Sequence, residues 1–303
     1  MDIKTHTQAQ NRTGATPEPD ALPQVLTLAG ALRSYRLQLL VGLGFLSLTY
    51  HHIATAMVRD WYFDDNASHG FLVPLVSAYL VWTRRKKLAV APVSSCPAGL
   101  WILVFAMLLL LGGWLASELF IQRFSLVLAL CGCTLFWLGR DVFSLLSLPI
   151  LFLTFMIPIP NIVYDAVALP LKLLVSQMSV GILHALGIVV LREGNVIMFP
   201  NITLEVVDAC SGLRSLTSLL ALGVAYSLIF IRSTGQRLIL IAATLPIAIF
   251  TNVLRVVGTG LLARHIGAQA ASGFFHEFTG IATFVFALLL FAGVHHLLRR
   301  FAR

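Results

Sequence analysis

Residues 99–116, GLWILVFAMLLLLGGWLA, form an apolar run without a single charged side chain. A hydrocarbon core about 30 Å thick needs about 20 such residues for each helical crossing. Comparable runs recur between positions 37 and 298, and over the whole chain 58% of residues are hydrophobic and only 11% are charged. Soluble globular domains carry roughly 25% charged residues. We therefore predict an all-α polytopic membrane domain over residues 37–303.

The first 36 residues have a different composition. Residues 11–20, NRTGATPEPD, are polar and rich in turn formers, and such a stretch buries too little apolar surface to order itself. We predict that residues 1–36 form a disordered cytoplasmic tail.

The net charge of +8 is explained by the position of the basic residues, which flank apolar spans as the positive-inside rule describes. We therefore expect contact with a bilayer and none with nucleic acid. The basic residues that flank these spans are Arg33, Arg36, Arg84, Arg85, Lys86, Lys87, Arg140, Arg232, Arg237, Arg299, Arg300 and Arg303. About eight crossings, with both termini in the cytoplasm, put all of these groups on one side. The predicted crossings are 38–57, 70–83, 99–116, 121–139, 142–158, 212–231, 238–260 and 276–298.

Residues 162–190 are apolar enough to cross but would break this alternation. Asp165, Lys172, Ser176 and Ser179 fall on one helical stripe, which favours a helix lying in the outer interface or across the bundle. A re-entrant hairpin is the alternative. After it, the β-branched runs around residues 192–195 predict a short β-hairpin on the outer face.

Counting residues along three predicted helices places three ionisable residues at the same depth in the membrane. Arg255 lies 18 residues beyond the basic start of its helix, whereas Cys210 and His276 lie 22 and 23 residues before the basic ends of theirs. At 1.5 Å per residue these counts are roughly 27, 33 and 34 Å, which place all three near the outer boundary of the hydrocarbon.

The residue types give this coincidence a chemical meaning. A cysteine attacks a carbonyl as the thiolate, which a helix N-terminus or a neighbouring cation stabilises. His276 could take the thiol proton and return it to a leaving amine. Arg255 cannot act as a base, so we expect it to stabilise an oxyanion or hold a substrate carboxylate. Taken singly, each residue has a structural explanation: a helix-start cysteine, an interfacial histidine or a snorkelling arginine.

Several neighbours are candidates for supporting roles. Asn252 shares a helical face with Arg255, Ser211 and Gly212 follow the thiol at the helix start, and Asp208 could orient His276. No metal or cofactor is expected. Cys131 and Cys133 are two residues apart in a helix, which turns their side chains about 200° from each other and prevents joint chelation.

At these residues the sequence resembles the exosortase/archaeosortase family of sorting transpeptidases. Residues 207–215, VDACSGLRS, resemble its nucleophile motif, while 252–255, NVLR, and 276–280, HEFTG, resemble its second and third motifs. Upstream, residues 68–72, SHGFL, resemble its N-terminal loop motif and residues 157–160, IPIP, its proline turn. The resemblance implies that Cys210, Arg255 and His276 are catalytic, and we expect His69 to line the same cavity.

The resemblance also implies a function and a location. The family cleaves a C-terminal sorting signal, consisting of a Pro-Glu-Pro type motif, a transmembrane helix and a basic tail, through a cysteine thioester. It then transfers the exported protein to a cell-surface or exopolysaccharide-linked acceptor. The expected location is the bacterial cytoplasmic (inner) membrane, with the active site at the periplasmic face. Two alternatives remain open: an intramembrane cysteine protease that hydrolyses without transfer, and a transporter or exopolysaccharide-export component without peptidase activity.

Overall fold

The computed structural model describes residues 28–64, 66–200, 203–205, 212–266 and 274–301, and these residues are overwhelmingly helical. The helices are α1 (Leu28–Ser34), α2 (Arg36–Phe63), α3 (Leu72–Thr83), α4 (Arg85–Val90), α5 (Ala98–Leu115), α6 (Leu119–Phe152), α7 (Asn161–Ala185), α8 (Gly212–Phe230), α9 (Thr234–Ile266) and α10 (Phe274–Phe301). Strands β1 (Leu191–Glu193), β2 (Val196–Met198) and β3 (Thr203–Glu205) lie between α7 and α8. The predicted all-α membrane fold is therefore confirmed in outline.

The N-terminal boundary of the domain differs from the prediction. Residues 1–27 lie outside the described residues, but Leu28–Ser34, inside the predicted tail, form helix α1. Ala31 is buried, and Leu28 packs against an apolar cluster that contains Leu88 and Val142. Tertiary contacts thus order part of a segment whose composition predicted disorder, since a helix this short depends on packing for its stability.

Six helices in the described part of the chain are long and apolar enough to cross a membrane. They are Arg36–Phe63, Ala98–Leu115, Leu119–Met156, Asn161–Ala185, Thr234–Arg264 and Phe278–Arg300. The predicted count of about eight differs in four places. The predicted crossing at 70–83 is the twelve-residue helix α3, and α8 supplies only a shorter apolar stretch at Thr217–Phe230. The crossings predicted at 121–139 and 142–158 fall in one span, Leu119–Met156, whereas α7, which was predicted not to cross, is long and apolar enough to do so.

Helix α6 folds back on itself at Gly139. Asp60 pairs with the buried Arg123, while its neighbour Trp61 donates a hydrogen bond to the carbonyl oxygen of Met156 at 2.8 Å. Residues 123 and 156 would be about 50 Å apart in a straight helix. Gly139 has φ +84° and ψ −177°, a region that is essentially restricted to glycine. The two predicted segments are therefore antiparallel arms of one hairpin.

The Gly139 turn also leaves no room for a side chain. An ideal Cβ there would lie 1.9 Å from the carbonyl oxygen of Ser94. The turn packs directly on the backbone of the α4–α5 connection, so glycine is required both for its conformation and for this close approach.

Helices α8, α9 and α10 form a second bundle around a shared core. Leu219, Leu240, Ile247 and Phe291 are buried within it. The connection between α8 and α9 is only three residues long, so these two helices are antiparallel. We call the end of the bundle where α8 begins and α9 ends the Arg255 end, and the opposite end the Arg237 end.

Helix α7 is continuous from Asn161 to Ala185, so the alternative of a re-entrant hairpin within it is wrong. The predicted polar stripe is divided, because Ser176 and Ser179 are fully buried whereas Asp165 is exposed. The two ends of α7 lie at different levels in the half of the bundle that contains Arg255. Tyr164 lines a cavity with Thr217 of α8, and Gly187, just beyond α7, lines another with Arg264 near the end of α9.

The predicted β-hairpin is confirmed and carries a third strand. Strands β1 and β2 pair antiparallel, with Arg192 opposite Ile197, and β2 also pairs with β3. Ile197 and Leu204 join an apolar cluster with Val253 and Val256 of α9. The sheet is thereby fixed against the same half of α9 that carries Arg255.

Candidate active site

Helix α9 holds the two polar residues of the second motif inside an apolar bundle. Asn252 is 8% exposed and Arg255 9% exposed, next to the buried Val253 and Val256. Because a guanidinium in a membrane-spanning segment is costly to bury, such a residue is a functional hypothesis by default.

The guanidinium of Arg255 is directed at α10. An ideal Cβ at Gly280 would lie 3.6 Å from Nη2 of Arg255, so the side chain packs on the α10 backbone at this glycine. His276 lies in the first turn of α10, four residues before Gly280. Four residues are about one helical turn, or about 6 Å along the axis, and return to nearly the same face. The helical positions of the predicted Arg255 and His276 pair are therefore brought together.

The register of the bundle puts the start of α8 at the same level. Gly223 of α8 lies against Thr244 of α9, since an ideal Cβ at Gly223 would be 2.4 Å from its hydroxyl oxygen. Because α8 and α9 are antiparallel, moving eleven residues outward along both helices brings Gly212 level with Arg255.

A second contact gives the same level for α10. The hydroxyl of Tyr226 on α8 lies 3.2 Å from Nδ1 of His295 on α10. These two helices run in the same direction, so fourteen residues back along each one reach Gly212 and residue 281, next to Gly280. Two independent contacts therefore place the first residue of α8, Arg255 and Gly280 at one depth.

Some of the predicted site residues lie outside the described part of the chain. Asp208, Cys210 and Ser211 are in this group, and for His276 the description covers the helical backbone but not the side chain. Gly212 is the first residue of α8. The described residues therefore place three parts of the chain around the candidate nucleophile. We call these parts the framework: Arg255, the start of α8 and the first turn of α10.

His69 lies beside α8 but further toward the Arg237 end than Gly212. It is part of a 3-10 turn, Ser68–Phe71, and its Nε2 atom is 3.1 Å from the carbonyl oxygen of Phe155. Since a carbonyl oxygen only accepts hydrogen bonds, Nε2 carries the proton. Burial lowers the pKa of His69, against the opposing effect of backbone groups of Phe155 and Asn66, so the ring is neutral at pH 7.

Two cavities meet at His69. The first has a volume of about 270 Å³ and is lined by residues that include Asp64, Tyr164 and Thr217. The second, of about 300 Å³, reaches Phe284 of α10, one helical turn beyond Gly280. His69 lines both cavities, and the second extends toward the helical turn on which Arg255 packs. That His69 shares a cavity with Cys210 stays a prediction.

Three residues that line the first cavity were not predicted from the sequence: Asp64, Tyr164 and Thr217. They come from three distant segments, and none of them stands out by spacing or type. The sequence offered only an indirect signal, namely the two upstream motifs. The SHGFL loop and the IPIP turn meet at this cavity, because His69 and Pro158 both line it.

Comparison with known proteins identifies the family of the chain. Residues 61–293 match the family model of the transmembrane exosortase, Exosortase_EpsH. No curated protein and no solved structure gives a significant match. The matched region covers most of the chain and includes all three motifs as well as the upstream loop, so the chain belongs to the transmembrane exosortase family.

Proposed function

We propose that this protein is a membrane-embedded cysteine transpeptidase that cleaves the C-terminal sorting signal of exported proteins through a thioester on Cys210. The observation that carries the proposal is the packing of Arg255 on Gly280, one turn from His276 and level with the start of α8. Because Cys210 precedes Gly212 by only two residues, its Cα lies within about 7 Å of that helix start. A thiol, a guanidinium and an imidazole can therefore share one small site.

The proposed reaction follows from the chemistry of these groups. His276 takes the proton of the Cys210 thiol, and the N-terminus of α8 favours the resulting thiolate. The thiolate attacks the carbonyl carbon of the scissile peptide, and Arg255 stabilises the oxyanion that develops. The C–N bond then breaks as His276 donates its proton to the leaving amine, which leaves an acyl thioester. An acceptor nucleophile, or water, takes the acyl group and releases the thiolate.

Supporting roles are proposed for the neighbours. Asp208 orients the His276 ring, and the hydroxyl of Ser211 and the N–H of Gly212 are available at the helix start. Asn252 lies one turn before Arg255, and its buried Oδ1 atom has no hydrogen-bond partner within the described residues. An unsatisfied buried amide oxygen is costly, so Asn252 has an acceptor available to the guanidinium or to the substrate.

The substrate class follows from family membership and from the depth of the site. A protein anchored by one C-terminal helix, with a basic tail after it, presents its recognition motif just outside the bilayer. Cleavage there releases the membrane tail and leaves the exported part as the acyl group for a cell-surface or exopolysaccharide-linked acceptor.

For the topology, we propose that the Arg237 end is cytoplasmic and the Arg255 end periplasmic, in a bacterial inner membrane. Basic side chains concentrate at the Arg237 end, where Arg84 lies near enough to Arg237 for their charges to interact. This distribution is the positive-inside pattern. In this arrangement the arms of the α6 hairpin, α3 and α8 count as separate crossings, giving about eight, and α7 lies obliquely within the periplasmic half.

Thiol labelling tests this topology, because Cys96 lies at the Arg237 end and Cys210 precedes the first residue of α8 at the Arg255 end. The backbone N–H of Ala98 lowers the pKa of Cys96, and Arg140 acts in the same direction, so Cys96 is a reactive reference thiol. A membrane-impermeant maleimide should label Cys210 in right-side-out vesicles and Cys96 in inside-out vesicles. The Cys96→Ala and Cys210→Ala variants assign each label. Labelling of both thiols from the same side would contradict the topology.

Capture of the acyl-enzyme tests the function itself. The full-length enzyme is reconstituted in liposomes with a synthetic substrate made of a polar motif, one apolar helix and a basic tail. Mass analysis after acid quench should find the N-terminal part of the substrate on Cys210, and hydroxylamine should release it as the hydroxamate. Transport of the intact substrate without any adduct would instead favour the export-component alternative.

A further inference from the structure

We infer that the cavity beside His69 is a specificity pocket that binds a neutral, largely apolar side chain on the C-terminal side of the cleaved bond. This inference rests on the proposed function, since it assigns the cavity to the same substrate. We call it the His69 pocket.

The walls of the His69 pocket come from four separate parts of the chain. They are the 64–69 loop, the 154–159 turn, the start of α7 at Asn161 and Tyr164, and Thr217 with Leu220 of α8. Its volume of about 270 Å³ is below the usual range of whole-ligand sites and suits one or two amino-acid side chains. Several wall residues are polar, and roomy polar cavities hold water that a ligand can displace.

The distance from the nucleophile sets which substrate residue the pocket reaches. Thr217 and Leu220 lie five and eight residues beyond Gly212, or about 7 to 12 Å along α8. An extended peptide advances about 3.3 Å per residue. Counted from the level of Gly212, where the cleaved bond lies next to Cys210 in the proposed reaction, the pocket accepts a side chain about two to four residues from that bond.

The direction from the nucleophile sets on which side of the bond that residue lies. Thr217 and Leu220 lie on the Arg237 side of Gly212, toward the interior of the membrane domain. The substrate enters the membrane through its C-terminal helix. The residue that reaches the pocket therefore lies between the cleaved bond and that helix, in the leaving segment.

The charge of the walls decides which side chains fit. Among the lining residues that the structure describes, Asp64 carries the only formal charge, because the His69 ring is neutral. Phe120, Phe155 and Leu220 supply apolar surface. A substrate carboxylate would find no cation there and would meet Asp64 at the rim, so acidic residues are rejected.

A substrate panel tests the inference on full-length enzyme in liposomes. The synthetic substrates carry Ala, Leu, Phe or Glu at each of the four positions after the cleaved bond, and kcat/KM is measured from adduct formation and product release. For at least one of these positions, the Leu220→Trp enzyme should have about tenfold lower kcat/KM for the substrates that carry Leu or Phe, because the indole fills the pocket. The kcat/KM for the substrate that carries Ala should change little. The matched control is Leu245→Trp on α9, where the replaced leucine is 48% exposed.

The Asp64→Asn variant tests the effect of the wall charge independently. The amide keeps an oxygen to accept the hydrogen bond from the N–H of Asn66, which Asp64 Oδ1 now accepts at 2.9 Å, but it removes the charge. The Glu substrate should gain about three- to fivefold relative to Leu.

The outcomes separate the two proposals. Suppose that wild type forms the adduct normally, but the substrate preferences in kcat/KM are the same for wild type, Leu220→Trp and Asp64→Asn. That result would overturn the pocket alone. The absence of any adduct in wild type would overturn the proposed function and the pocket with it.

Discussion

We expect Cys210→Ala to lower substrate processing at least about 10³-fold, the scale on which removal of a catalytic nucleophile acts. The reason is that no other described group can form the thioester at this end of the bundle. Cys131 and Cys133 lie within α6, and Cys96 is at the Arg237 end. Processing is measured as cleavage of the synthetic substrate in liposomes, with substrate binding followed separately by cross-linking.

The control for this experiment is Cys96→Ala. The backbone N–H of Ala98 lowers the pKa of Cys96, so this variant tests whether a second thiol with a lowered pKa contributes to processing. Cys96→Ala should process substrate at the wild-type rate, whereas Cys210→Ala should still bind the substrate. If Cys210→Ala processed substrate normally, the thioester mechanism would have to be abandoned.

For Arg255→Lys we expect about a 10²-fold loss of kcat, comparable to the loss of one oxyanion donor. Lysine keeps the positive charge but not the planar fork, which can present two N–H groups to one substrate group at once. The guanidinium also packs at 3.6 Å from the ideal Cβ position of Gly280, a contact that fixes its direction. A flexible ammonium lacks that support, so a conservative charge replacement should fail.

The matched control is Arg264→Lys, which changes an exposed arginine near the end of the same helix. It should leave kcat within about twofold of wild type. Thermal unfolding in detergent should give similar midpoints for the two variants, so that a loss of activity in Arg255→Lys reports the site and not the fold. Wild-type kcat in Arg255→Lys would show that charge alone is sufficient.

Helix counting from the sequence predicted a shared depth for the motif residues but could not predict the neighbouring cavity. Counting residues from basic helix ends put Arg255 and His276 at one depth, and the packing of Arg255 on Gly280 agrees with that count. The count could not find Tyr164 or Thr217, because both are ordinary residues that become part of a cavity only when α7 and α8 meet. It also missed the pairing of Asp60 with Arg123, which joins α2 to α6.

The number of crossings illustrates the same limit. Hydropathy separated residues 121–139 from 142–158, and the reversal at Gly139 supports that separation. The length criterion alone treats Leu119–Met156 as one span. The contacts of Asp60 with Arg123 and of Trp61 with Met156 reveal the hairpin. Adjacent residues of α2 contact opposite arms, which are distant in sequence.

By itself, the sequence determined the membrane solvent and the family and predicted a common depth for Arg255 and His276, since apolar length, basic flanks and short motifs are local properties of the chain. Only the tertiary structure decided which faces meet: Arg255 on Gly280, the α6 hairpin around Gly139, and the His69 pocket between α7 and α8. The physical reason is that lipid and protein interiors are similarly apolar, so a membrane helix carries little hydrophobic asymmetry to show which side packs. Rotation about each helix axis is therefore fixed by close packing and polar pairing between distant segments.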